Sequence, residues 1–213
     1  VAGGEAVSDH PILFSAPMVQ ALLAGRKTQT RRVVKQRIIG IEPSLHVPGR
    51  DVVVWHGTDP GARIRTGVGL FVREMCPYGV VGDRLWVRET WGVSGLDRYE
   101  YRAAPADGVD FRCVPRWRPS IHMPRRASRI TLELTDVRLQ HVQDITEEEA
   151  IAEGITAQPM GALPARKAFS YLWDSLNAKR GYGWDVNPWV WVLSFRRVTQ
   201  GAVAGGSKRT ASG

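Results

Sequence analysis

The helix stop at Gly25 constrains this chain more than any other single feature. Upstream, Ser15 suits an N-cap, and the pairs Met18/Leu22 and Val19/Leu23 at i, i+4 predict a helix through Ala24. Gly25 then ends it as the residue that adopts the left-handed conformation without steric cost. The next stretch, Thr28–Val34, reads as a strand, so alternation puts Thr28, Thr30 and Arg32 on one face and Gln29, Arg31 and Val33 on the other. Four cations (Arg26, Lys27, Arg31, Arg32) and two threonine hydroxyls fall between Leu22 and Arg32. Such a group is costly in a core and makes sense where the chain handles a polar, anionic ligand.

The remaining signals are mostly short strands. Ile12–Phe14 reads as a short buried strand after a loosely tied leader, Val1–Pro11. From Lys35 to Cys76 the pattern weakens into a Pro- and Gly-interrupted excursion whose one apolar run is Val52–Trp55. Gly82-Asp83 signals a turn, and Leu85 and Val87 alternate with Trp86 and Arg88 as in a half-buried strand. Tyr99–Ala103 is a further short strand, and Arg116–Arg126 is a basic, aromatic loop broken by Pro119 and Pro124. In Arg129–Leu139, Ile130, Leu132 and Leu134 alternate with Thr131, Glu133 and Thr135, the clearest strand pattern in the chain. Thr146 and Glu149 form a capping box with Ile145 placed to staple onto Ala150, giving a helix to about Glu153 that Gly154 ends. Ala165–Leu176 predicts a second amphipathic helix with Phe169, Leu172, Trp173 and Leu176 on one face. Trp189–Phe195 is the closing strand, and 199–213 reads as a flexible Gly, Ala and Ser tail. Many strands and few helices point to an α+β fold built on a small mixed barrel or curled sheet.

Composition narrows the partners. A chain of 213 residues with 43% hydrophobic content suits one generous domain, and no apolar run approaches the roughly 18–20 residues that span a bilayer. Val1–His10 lacks a basic segment followed by an apolar one, so no secretory signal is read there and a cytoplasmic setting is expected. Cys76 and Cys113 are too few for a disulfide framework or a zinc site and read as ordinary buried thiols. Neither a metal nor another cofactor is expected. The net charge of +8, carried mostly by Arg, favours nucleic acid, a nucleotide or a nucleoside as ligand, because guanidinium suits bidentate contact with phosphate. Some of the eight Trp are candidate stacking platforms.

In this order, Leu23-Ala24-Gly25-Arg26-Lys27-Thr28-x-Thr30-x-Arg32, the strand opened by Gly82-Asp83, the strand Arg129–Leu139, the acidic helix Ile145–Glu153 and the closing Trp189–Phe195 resemble the ASCH family of PUA-like domains. The resemblance spans 12–198, with insertions around 35–76 and 92–128. The larger format, with Trp86-Val87-Arg88-Glu89-Thr90-Trp91, looks like the versions often carried by phages and prophages. The resemblance implies a β-barrel with a cleft beside the first helix and recognition of RNA or nucleotides. Some small members are amidohydrolases that remove the acetyl group from N4-acetylcytidine with a Lys, a Thr and a Glu. On this sequence those match Lys27, Thr30 and, by alignment of the acidic helix on its Thr-Glu start, Glu153. Other members are described as ribonucleases with a different residue set.

The chemistry asks something of each residue. A threonine hydroxyl needs a base, and a lysine serves only if burial or like charge lowers its pKa from about 10.4. Arg26, Arg31 and Arg32 supply like charge, whereas a nearby Glu153 would act the other way. Lys27 and Thr30 have opposite strand parity, so they converge only if Lys27 lies in the turn before the strand. Bland readings stand beside these: Lys27 as a phosphate-binding or solvated cation, Thr30 as a β-former, Glu153 as a solvated carboxylate. Arg32 shares the face of Thr30 and would orient a carbonyl or phosphate. Glu89 is a candidate for a base edge and Trp91 for its face, while Trp86 is read as core filling. Arg88, Trp117, Arg125 and Arg126 extend a candidate nucleic-acid track, and His122 is read as structural. Three functions are compatible with these residues: an amidohydrolase on an N4-acylated cytidine, an RNA- or DNA-binding module in which Lys27, Arg31 and Arg32 contact phosphate, and a ribonuclease.

Overall fold

The computed structural model describes residues 7–35, 76–95, 97–103, 114–156 and 163–198, and the backbone alone over 38–43 and 51–55. Cys113, the tail 199–213 and most of the 35–76 excursion lie outside the described residues. The fold is mixed α+β. Its elements are β1 (Asp9–Leu13), α1 (Ala16–Leu23), β2 (Gln29–Val33), β3 (Ile38–Pro43), β4 (Asp51–Trp55), β5 (Arg84–Arg88), β6 (Trp91–Val93), β7 (Tyr99–Tyr101), β8 (Thr131–His141), α2 (Glu147–Ala152), α3 (Ala165–Asn177) and β9 (Trp189–Arg197). Five strands form the main sheet in the order β1-β5-β8-β9-β2, while β3-β4 and β6-β7 are separate two-stranded ribbons. Only β1 and β5 run parallel within the main sheet, where His10 pairs with Leu85 and Ile12 with Val87; the other pairs are antiparallel.

The closing strand organises two cores because it is apolar on both faces. Trp191, Leu193 and Phe195 face a core filled by Ile12, Phe14, Leu85, Val87, Leu132 and Leu134 under α1. Val190 and Val192 face the opposite way, onto Phe169, Trp173, Ile145 and Ala150 of the helical layer. Each fully buried side chain of this size contributes about 1.5–3 kcal/mol, so β9 anchors both layers. A register shift between Leu134 and Asp136 leaves Thr135 exposed and lets both Leu134 and Val137 point inward, three residues apart.

The first strand is longer than its apolar core suggested. It begins at Asp9, inside the stretch read as leader, because the backbone ladder to β5 recruits residues with no hydrophobic signal. The apolar run Val52–Trp55 forms β4 and pairs with β3. In α3 the buried side is Phe169, Trp173 and Asn177, whereas Leu172 and Leu176 are exposed. The α3 stripe thus follows the i, i+4 row through Phe169 and Trp173, and the two leucines read as core lie outside it.

Candidate functional site

Gly25 takes a φ of +70°, and the turn it makes folds Arg26 and Lys27 back so that both amides donate to the Ala21 carbonyl, at 2.9 and 3.2 Å. Lys27 therefore leaves from the turn and not from the strand. One residue later, the Thr28 amide donates to Ala152 at the end of α2 at 2.9 Å, docking that helix on the free edge of β2. Gly154 completes the approach with a φ of +93°, and a Cβ built there would lie 3.1 Å from that of Ala21 and 3.3 Å from that of Lys27. Only a glycine lets the helix end come this close without displacement.

This docking brings Glu153 onto Lys27. The ammonium donates to Glu153 Oε2 and to the Glu153 carbonyl, both at 2.7 Å, with the lysine side chain closed to solvent. The second carboxylate oxygen, Oε1, accepts from Arg31 at 3.3 Å. Arg31 also donates to Gln29 Oε1 at 2.8 Å and to Glu149 Oε2 at 2.6 Å, and Glu149 Oε1 accepts from Arg138 at 2.8 Å. Arg138 in turn pairs with Asp136 at 2.8 Å. Three cations and three carboxylates thus alternate in one file from Lys27 to Asp136, and the charges balance. Burial pulls the Lys27 ammonium below the usual lysine value; Glu153 opposes this, and Arg32 and Arg31 add to the lowering.

Strand parity sorts the rest of the motif. Gln29, Arg31 and Val33 face the helical layer, where Arg31 lies over the Phe169 ring at 5.8 Å. Thr30 and Arg32 pair with Leu193 and Trp191, which face the first core. Thr30 is buried, and its hydroxyl makes no hydrogen bond among the described residues. Phe14 forms a floor beneath two cations: Lys27 Nζ lies 5.6 Å from its ring centroid and the Arg32 guanidinium 5.0 Å. Arg32 also donates to the Leu13 carbonyl at 2.7 Å, a side-chain bridge from β2 to the end of β1. No carboxylate among the described residues pairs with Arg32. Arg26 stays exposed, 3.4 Å from the Thr156 hydroxyl.

The second candidate group is rearranged. Glu89 is 1% exposed and receives a bidentate fork from Arg129, at 2.9 and 3.0 Å, while Arg129 covers the Tyr101 ring at 4.1 Å. A carboxylate held this way is engaged inside the protein and is not presented to a base edge. Trp91 is 3% exposed in a small core with Met123 and Ala127, against Tyr99 and under Arg118. It is not an open stacking platform. Trp86, read as core filling, is instead half-buried on the outer face of β5 between Arg88 and Arg125. The reason is parity: Leu85 and Val87 take the inner face, so Trp86 takes the outer one. Arg88 donates to the Ile121 carbonyl, Arg125 pairs with Asp9 at 3.0 Å, Arg126 donates to the Tyr99 hydroxyl at 3.1 Å, and Trp117 is half-buried. Burial of Cys76 pushes its thiol up to about 11, so it is inert at neutral pH.

Among the described residues no cluster of His, Cys, Asp and Glu is arranged to hold a metal ion, and no helix is long and apolar enough to cross a membrane. No family model and no curated protein matches the chain. Among solved structures, it is similar to the crystal structure of protein EF3133 from Enterococcus faecalis V583, of the family model DUF984, at 11% identity and a TM-score of 0.40, over 91% of this chain and 82% of that one.

Proposed function

We propose that the chain is an ASCH-type, PUA-like domain that recognises a nucleoside, nucleotide or RNA beside α1 and hydrolyses the amide of an N4-acylated cytidine. The observation that carries this reading is the buried contact of 2.7 Å between Lys27 and Glu153, two residues far apart in sequence, at the edge strand that bears Thr30. It is supported by the direction of the Lys27 shift, since only a lysine with a lowered pKa supplies neutral amine near neutral pH. The Arg32–Leu13 bridge, which brings the two sheet edges together, supports a barrel-like closure.

In this reading neutral Lys27 takes the Thr30 proton as the hydroxyl oxygen bonds to the acyl carbon. Glu153 steadies the ammonium so formed. The bond to N4 then breaks, and the proton passes through the Lys27–Glu153 pair to the departing amine, leaving an acyl ester on Thr30. Water hydrolyses that ester, releasing the carboxylic acid and restoring the threonine. Arg32, on the Thr30 face and without a carboxylate partner among the described residues, would orient the acyl oxygen.

A binding-only module needs Lys27, Arg31 and Arg32 free for phosphate. Lys27 and Arg31 are instead engaged by Glu153 and Glu149, which counts against simple phosphate contact through them. Incubation with N4-acetylcytidine, followed by chromatography for cytidine and acetate, tests the proposal. Turnover by the wild type, abolished in Lys27→Ala, Thr30→Ala and Glu153→Gln, is the expected result. A folded wild-type protein that releases no acetate from N4-acetylcytidine overturns it for that substrate.

A further inference from the structure

The outer face of β5 carries a second feature that the Lys27 site does not use. Leu85 and Val87 are essentially inaccessible, so alternation sends Trp86 and Arg88 outward, with Arg84 exposed beside them. The Arg88 and Arg125 guanidiniums lie 5.4 and 5.9 Å from the Trp86 ring. Arg126 is exposed next to Arg125. Arg125 pairs with Asp9, but through groups 43% and 44% exposed, so that pair is screened and exchanges readily with solvent. Arg88 and Arg126 make their hydrogen bonds to the Ile121 carbonyl and the Tyr99 hydroxyl, both neutral, and have no carboxylate partner among the described residues.

A half-open indole between two guanidiniums, with positive charge left over, fits one kind of partner. The indole and guanidinium planes offer stacking surfaces to a flat aromatic ring, and the uncompensated charge favours a polyanion. A protein partner would call for more apolar area than the patch offers, since its large exposed hydrophobic neighbours are Ile121 and Leu13, the latter paired with Arg88. A duplex hides its base faces, whereas a single strand presents them. We infer that the Trp86–Arg88–Arg125–Arg126 face binds single-stranded nucleic acid, with Trp86 stacking on a base and the arginines tracking the backbone. This binding does not depend on the hydrolysis proposed for the Lys27 site and is read without it.

Fluorescence anisotropy of a dye-labelled RNA of about 12 nucleotides, with DNA of the same sequence and the corresponding duplex alongside, tests the inference. Single strands are expected to bind more tightly than duplex. Trp86→Ala should weaken single-strand binding about tenfold or more, whereas Trp86→Phe, which keeps a stacking ring, should retain most of it. Circular dichroism establishes that each variant is folded, and rescue by phenylalanine separates stacking from a general loss of structure. Arg88→Gln combined with Arg126→Gln should lower the slope of log affinity against log salt by about 1.4, or roughly 0.7 for each phosphate no longer neutralised. A preference for RNA over DNA assigns the ligand to RNA; equal affinity assigns it to single strands of either sugar. Absence of binding at low salt overturns the inference. So does unchanged affinity in Trp86→Ala, or duplex binding as tight as single-strand binding, either of which would mark the face as a general polyanion or acidic-protein surface.

Discussion

Arg31 donates to Glu149 at 2.6 Å while its own side chain is closed to solvent. A guanidinium in that setting is tolerated only because Glu149, Glu153 and Gln29 all receive its protons. Arg31→Ala would strand Glu153 and Glu149 with one cation each, and we expect a loss of about 3–5 kcal/mol in urea denaturation. A loss below about 1 kcal/mol, the range of exposed pairs, would show that the file of charges is solvated.

Lys27 gives stability a pH dependence of defined sign. Burial lowers its pKa in the folded chain, while the unfolded chain titrates near 10.5. Between the two values the unfolded state binds the additional proton, so stability rises as pH climbs through that window. Denaturation midpoints followed into the alkaline range should show this rise in the wild type and lose it in Lys27→Met. A midpoint that falls there in the wild type but not in Lys27→Met would mean that Glu153, and not burial, governs the lysine.

Glu149 sets the acid limb. Burial pushes its carboxyl up, but the hydrogen bond from Arg138 and the charge of Arg31 more than offset this, and its pKa lies below the usual 4.5. The stabilisation is present above 4.5 and disappears as pH falls through the folded value. Glu149→Gln is expected to flatten the acid limb of a stability–pH profile, and an unchanged limb would assign it to other carboxylates.

Gly154 is tested by adding one methyl group. Gly154→Ala places a Cβ 3.1 Å from Ala21 and forces an L-residue to a φ of +93°, which costs about 1–3 kcal/mol. Because the added methyl also crowds Lys27, turnover of N4-acetylcytidine should fall by more than the lost stability explains. Equal stability in the variant, measured by thermal melting, would show that the helix end has room to shift.

Much of the fold was legible because the signals were local. Gly25 and Gly154 are both left-handed as their positions demanded, and the capping box at Thr146 and Glu149 forms with hydrogen bonds of 3.2 and 3.3 Å. Residues beside those signals were harder to place. Glu89 met Arg129, and Glu149 met Arg31 and Arg138, through contacts across strands that no spacing announces. Trp86 and Trp91 exchanged their expected roles because β5 ends at Arg88 and β6 starts at Trp91 in a separate ribbon, so alternation along one does not carry into the other. Glu149 was absorbed by its helix-start signal, which is why its second role went unread.

One oxygen atom joins those two roles. Glu149 Oε2 accepts the Thr146 amide that starts α2 and also the Arg31 guanidinium from β2. Nucleating the helix and drawing the strand's arginine into place therefore rely on the same acceptor, and each strengthens the other. The helix that carries Glu153 is thus most stable only when β2 is already beside it, so the chain has little reason to populate a state holding half of the site.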